Sequence, residues 1–77
     1  MFTEQERARL SVGLKETKKA ITAGCEMVYL AEDAPDAIFD EIKKVAADKL
    51  NIVPTMKELG RLCGIDVKAS CAALRKN

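Results

Sequence analysis

Histidine and tryptophan are absent from this 77-residue chain, proline occurs twice, and Phe2, Tyr29 and Phe39 are its only aromatic side chains. Without histidine there is no conventional acid–base shuttle at neutral pH and no imidazole ligand for a metal. Three scattered aromatics argue against the stacking platforms used on single-stranded nucleic acid. A charge excess is missing too. Thirteen Lys and Arg face twelve Asp and Glu, so the net charge names no partner, and only a segregated distribution could build a patch. No run approaches the roughly 20 apolar residues of a membrane span, and no signal-peptide pattern opens the chain. The expectation is a soluble cytoplasmic protein without membrane contact. Cys25, Cys63 and Cys71 form no Cys-x-x-Cys pair and are too scattered for zinc. In apolar surroundings they read as buried thiols of a reducing compartment. No metal site, cofactor or catalytic residue is expected.

What is present is an aliphatic core supply. Nearly half the chain is apolar, enough for one small domain spanning 1–77, close to the lower size limit for a self-sufficient core. Thr3-Glu-Gln-Glu6 is a capping box that opens a charged helix to about Leu10. Ser11 and Val12 form a short strand or link. From Leu14 to Gly24 a helix places Leu14, Thr17, Ala20 and Ile21 on one arc and Lys15, Lys18 and Lys19 on another, with Glu16 at the border. Cys25 to Ala31 reads as a strand, central in its sheet. Asp33 or its neighbour caps the next helix, which has Pro35 in its first turn and runs from Asp36 to about Leu50. Asn51 turns the chain into Ile52-Val53, a strand stopped by Pro54. Thr55-Met-Lys-Glu58 opens another helix, closed at Gly64, with Gly60 and Gly64 as punctuation. Ile65-Asp66-Val67 is a loop, and Lys68 to Leu74 a strand of side chains small enough for helices to pack close on both faces. The order predicts an α/β fold, a three-layer α-β-α sandwich around a small mixed sheet of about four strands.

Most of the polar constellations have ordinary explanations. Glu32-Asp33 suits a helix amino terminus, and Asp40-Glu41 a solvated helix face. A buried, inert Cys63 is several times commoner than a reactive one on roughly the usual burial statistics. Taken singly, the lysine face of the second helix is more often plain surface than a phosphate grip, and Ile65-Asp66-Val67 more often a buried crossing. Together, a cationic helix after a glycine turn and an apolar loop late in a small α/β domain strengthen the binding reading.

Three blocks carry a resemblance: Gly13-Leu-Lys-Glu-Thr-Lys-Lys-Ala20, Tyr29-Leu-Ala-Glu-Asp-Ala34 and Met56-Lys-Glu-Leu-Gly-Arg-Leu-Cys-Gly-Ile-Asp-Val67. In order and spacing they resemble the kink-turn RNA-binding ribosomal proteins of the L7Ae type, and the short bacterial members in particular. The resemblance implies a three-layer fold and a partner RNA sharply bent at tandem sheared G·A pairs, whether ribosomal RNA, a riboswitch or another structured RNA, and not DNA. It implies that Lys15 and Glu16 meet guanine edges, that Lys19 contacts base or phosphate, and that Gly13 lets the chain approach; Lys18, on the same cationic face, would join Lys19 in attracting the backbone. Ile65, Asp66 and Val67 would pack on an unstacked nucleotide. Lys15 stands where archaeal and eukaryotic members carry Asn. Asp33-Ala-Pro-Asp36 inverts the family's acid-before-proline order, so no nucleotide contact is carried over there. Asn51 to Thr55 is shorter than usual, which leaves the third strand and its sheet edge open. Two other classes stand beside this reading: a protein-interaction module of the same fold, motivated by the near-neutral charge, and a thiol-dependent redox enzyme.

Overall fold

The computed structural model describes residues 2–76. Its elements are α1 (Glu4–Ala8), β1 (Leu10–Val12), α2 (Leu14–Ala23), β2 (Cys25–Ala31), α3 (Asp36–Ala46), β3 (Leu50–Val53), α4 (Met56–Cys63) and β4 (Cys71–Arg75), with a 3-10 turn over Ala47–Lys49. The sheet order is β1-β4-β2-β3. β4 runs antiparallel to both neighbours, and β2 pairs parallel with β3. The expected mixed four-stranded sheet forms, with β2 and β4 both interior. Helices cover both faces, giving the three layers. α2 and α3 pack on one another and on the sheet, while α4 lies against β2, β3 and β4. The Arg7 side chain of α1 lies against Gly64 at the end of α4, and the Phe2 ring stands edge-on to Tyr29 at 5.0 Å.

The packing follows from side-chain size. Val28 and Leu30 of β2, Ile42 of α3 and Leu59 of α4 are wholly buried, and Cys71 to Leu74 of β4 are buried throughout. A strand of Cys-Ala-Ala-Leu has little bulk on either face, so both helical layers reach it. This overcomes alanine's weak preference for strands.

Several boundaries differ from the sequence expectation, each for a local reason. α1 stops at Ala8 because Leu10 is recruited to β1, opposite Leu74. α3 stops at Ala46 rather than near Leu50, because Ala47 takes a positive φ of 51° and the chain tightens into the 3-10 turn. Lys49 then donates to the Cys25 carbonyl at 2.9 Å. Asn51 is therefore inside β3, opposite Tyr29, and does not make the turn. The fourth strand begins at Cys71 rather than Lys68, because residues 64–70 are drawn onto α4.

Two assignments are corrected outright. Asp33 does not cap α3, whose first turn has no side-chain cap. Its carboxylate accepts from Met56 N at 2.7 Å and caps α4 instead, alongside Thr55, which accepts from Glu58 N. Gly60 is not punctuation. It lies buried inside α4, where a Cβ would come within 2.1 Å of the Val67 carbonyl oxygen. Glycine in a helix interior costs about 1 kcal/mol relative to alanine, and the close approach of the following loop accounts for it.

The capping box at α1 forms in both directions. Glu6 N donates to Thr3 Oγ1 at 3.1 Å and Thr3 N donates to Glu6 Oε1 at 2.9 Å. The hydrogen bond from the Thr3 backbone, aided by its hydroxyl, holds the Glu6 carboxyl below its ordinary value of 4.5. A carboxyl depressed in the folded state contributes stability above the unfolded-state value, and that contribution disappears as pH falls through the folded value. The stability difference between wild type and Glu6→Gln should therefore be greatest above pH 4.5 and shrink on acidification. Urea titrations at stepped pH would show it, and a pH-independent difference would contradict it.

Candidate nucleic-acid interface

β1, β2 and β3 all end at the same edge of the sheet, where β4 begins. Three backbone bonds fix this rim. Gly13 N donates to the Cys71 carbonyl at 3.0 Å, Ala31 N to Ser70 O at 2.9 Å, and Glu32 N to Val53 O at 2.8 Å. The carboxyl ends of strands are where open α/β sheets habitually hold ligands. From this rim rise the first turn of α2, the Glu32-to-Pro35 connection and the start of α4, and the 64–70 loop returns to it.

Gly13 makes the entry to α2. Its φ of +95° is a conformation that side-chain-bearing residues rarely adopt, and a Cβ there would meet nothing within 4 Å, so the glycine answers backbone need and leaves open space. It brings no side-chain cap. Among the described residues, the first-turn N–H groups of α2 therefore have no capping side chain to satisfy them, which suits an anion. The helix is pinned by its inner face. Thr17 is wholly buried, and its hydroxyl donates to the Ser11 carbonyl at 3.4 Å, while Ala20 is buried beside it. With that stripe inward, Lys15, Glu16, Lys18 and Lys19 must face out, and all four are exposed. Leu14, Lys15, Lys18 and Lys19 line a groove of about 340 Å³ with an apolar end and cationic walls. Glu16 stands outside the groove, on the flank beyond Lys19.

The lysines are not equivalent. Lys18 pairs with Glu41 of α3, a contact joining residues 23 apart that the sequence did not signal. As a half-exposed pair it contributes little stability, but it offsets one positive charge at the groove.

The 64–70 loop runs back along α4. Ile65 N donates to Gly60 O at 3.1 Å and Ala69 N to Met56 O at 3.0 Å. Val67, beside Gly60, thus stands about 6 Å along α4 from Met56, four residues at 1.5 Å each. The loop is no buried crossing. Ile65 is 36% exposed and Val67 67% exposed, and Asp66 is exposed between them. Gly13 is bonded to Cys71, the residue that follows the loop, so the start of α2 and the return of the loop meet at the same rim. The Glu32-to-Pro35 connection lies on the same rim. Glu32 is exposed there, while the Asp33 carboxylate is committed to α4.

The thiols offer little to a redox reaction. Cys25, Cys63 and Cys71 are free and buried, and burial pushes the Cys63 thiol up, away from the thiolate. Among the described residues, no group of three or more His, Cys, Asp or Glu is placed to hold a metal ion, and no helix is long and apolar enough to cross a membrane.

Comparison with known proteins agrees with this architecture. Residues 3–77 match the model of the ribosomal protein L7Ae/L30e/S12e/Gadd45 family. The RNA-binding protein TTE2299 of Caldanaerobacter subterraneus subsp. tengcongensis is 43% identical over 77 residues, covering 94% of this chain and 93% of its own. The large ribosomal subunit protein eL8 of Halobacterium salinarum is 37% identical over 67 residues, 80% of this chain and 56% of that protein. Among solved structures, the Giardia lamblia 15.5kD RNA binding protein superimposes with a TM-score of 0.81 at 27% identity; the match takes in 91% of this chain and 62% of the longer Giardia chain. On the match of nearly the whole sequence and a relative matched over nearly all of its own length, the chain belongs to the ribosomal protein L7Ae/L30e/S12e/Gadd45 family.

Proposed function

We propose that this protein binds RNA folded as a kink-turn, without catalysis, through the first two turns of α2 and the Ile65-to-Val67 loop. The observation that carries the reading is the Gly13 N to Cys71 O bond, which sets the uncapped, lysine-flanked start of α2 beside the return of an exposed apolar loop. A regular A-form helix hides its base edges in a deep, narrow groove. A kink opens that groove, and a helix end can then enter. The lysines supply salt-sensitive attraction to phosphate, Lys15 and Glu16 face base edges, and Ile65 and Val67 give an unstacked base an apolar contact. Membership of the family, the RNA-binding names of its relatives and the ribosomal eL8 support an RNA partner and a ribosome-associated, cytoplasmic setting.

Amide chemical shifts recorded during titration with a kink-turn RNA test the site. Shifts should concentrate at Gly13 to Lys19 and Ile65 to Val67, leaving Val45 at the opposite end of α3 unmoved. No shifts at those two segments would favour a protein-interaction module instead.

The charges make a graded prediction. Lys19→Ala should lower the slope of log affinity against log salt by roughly one, the loss of one phosphate contact. Lys18→Ala should lower it less, because Glu41 already offsets that charge. Equal slopes for both variants and wild type would remove these lysines from the interface.

A further inference from the structure

Gly60 has no conformational reason to be glycine, since its φ is not positive. The reason is space. An added Cβ would sit 2.1 Å from Val67 O and 3.1 Å from Lys68 Cα, whereas real Cβ contacts stay above 3.0 Å. Both obstacles are backbone, so no side-chain rotation relieves them. The loop is laid on the helix main chain to main chain, tied on either side of this contact by Ile65 N to Gly60 O and Ala69 N to Met56 O. α4 is in turn tied to the rim by the Asp33 carboxylate on Met56 N. With its amides held by the helix in this way, the loop presents Ile65 and Val67 to solvent.

We infer that Gly60 is a positioning residue for RNA recognition. By letting the Val67-Lys68 backbone rest directly on α4, it fixes the height and orientation at which Ile65 and Val67 stand relative to the first turn of α2, and the Asp33 cap fixes α4 itself. The inference rests on the reading of this surface as the RNA interface. Gly60 is buried and acts through the loop, so its removal alters the apolar contact and leaves the phosphate contacts in place.

The test is a set of binding titrations with a kink-turn RNA and a control whose G·A pairs are replaced. They use wild type, Gly60→Ala, the Ile65→Ala/Val67→Ala double variant, Lys15→Ala, and Gly60→Ala on each of the last two backgrounds. Gly60→Ala is expected to weaken kink-turn binding about tenfold, the loss expected for one well-packed contact patch, with an unchanged salt slope. On the loop-truncated background the same change should cost less than about twofold, and on the Lys15→Ala background its full amount, because only the first pair shares a contact. Equal costs on both backgrounds, or no cost at all in a folded Gly60→Ala protein, would overturn the inference. If Gly60→Ala does not fold, Asp33→Ala takes its place. It should lower affinity, and Asp33→Asn, which keeps an oxygen for Met56 N, should restore it; wild-type affinity in Asp33→Ala would overturn the inference. A wild type that does not distinguish the two RNAs overturns the RNA reading itself, a different result from a discriminating wild type indifferent to Gly60→Ala.

Discussion

Replacing Glu16 with alanine is expected to weaken binding to a kink-turn RNA by roughly 1–3 kcal/mol, the value of a good base-edge contact. Binding to the same RNA without its G·A pairs should weaken little. The sign of the change is the informative part. Glu16 is an exposed carboxylate beside Lys15 and Lys19, and a carboxylate accepts hydrogen bonds but never donates them. Near phosphate it can only repel. If Glu16 merely decorated a solvated helix face, its removal would leave affinity unchanged or improve it, with a steeper salt dependence. If it accepts from guanine N–H groups, its removal costs affinity for the RNA that offers those donors. Filter-binding titrations on both RNAs at one salt concentration separate the two cases.

Leu59→Ala is expected to cost about 2–5 kcal/mol of folding stability, the range for truncating a fully buried leucine. Leu59 is wholly buried on the inner face of α4, where it seats that helix on the sheet. A core in a domain this small rarely supplies more than about 3–5 kcal/mol, so the variant should be largely unfolded at 37 °C. Its urea midpoint, if measurable at low temperature, should lie far below that of Leu62→Ala, which truncates a half-buried neighbour on the same helix. Equal midpoints would mean that α4 is held by its connections rather than by its apolar face. Kink-turn RNA at saturating concentration should raise the Leu59→Ala midpoint, since a ligand of the folded state alone stabilises it by mass action.

The features readable in the sequence were those set by nearby residues. The arc of Leu14, Thr17, Ala20 and Ile21 has a helical period, so the outward position of Lys15, Lys18 and Lys19 followed from it. Thr3-to-Glu6 and Thr55-to-Glu58 marked helix starts by capping chemistry, and Gly24 and Gly64 marked helix ends. The three-layer sandwich followed from the alternation of such segments. What was not readable depends on partners distant along the chain. Asp33 looked like a cap for the helix next to it, but its oxygen serves Met56, 23 residues on, and nothing local distinguishes the two uses. The Lys18–Glu41 pair is hidden for the same reason. Val45, Ala46 and Leu50 keep helical spacing across the break at Ala47, so the sequence predicts a longer α3 than forms. Gly60 did leave a signal. A glycine inside an amphipathic helix costs about 1 kcal/mol relative to alanine and so points to a packing reason, which here is the loop laid on α4.

The central claim is that one surface, built from the start of α2 and the loop on α4, recognises sheared G·A pairs at a kink. The most direct test is the ratio of dissociation constants of wild-type protein for a kink-turn RNA and for the same RNA with its G·A pairs replaced by Watson–Crick pairs, at one salt concentration. The account predicts at least about tenfold tighter binding to the kink-turn, corresponding to 1.4 kcal/mol or more. Equal dissociation constants, rising together as salt rises, would contradict it.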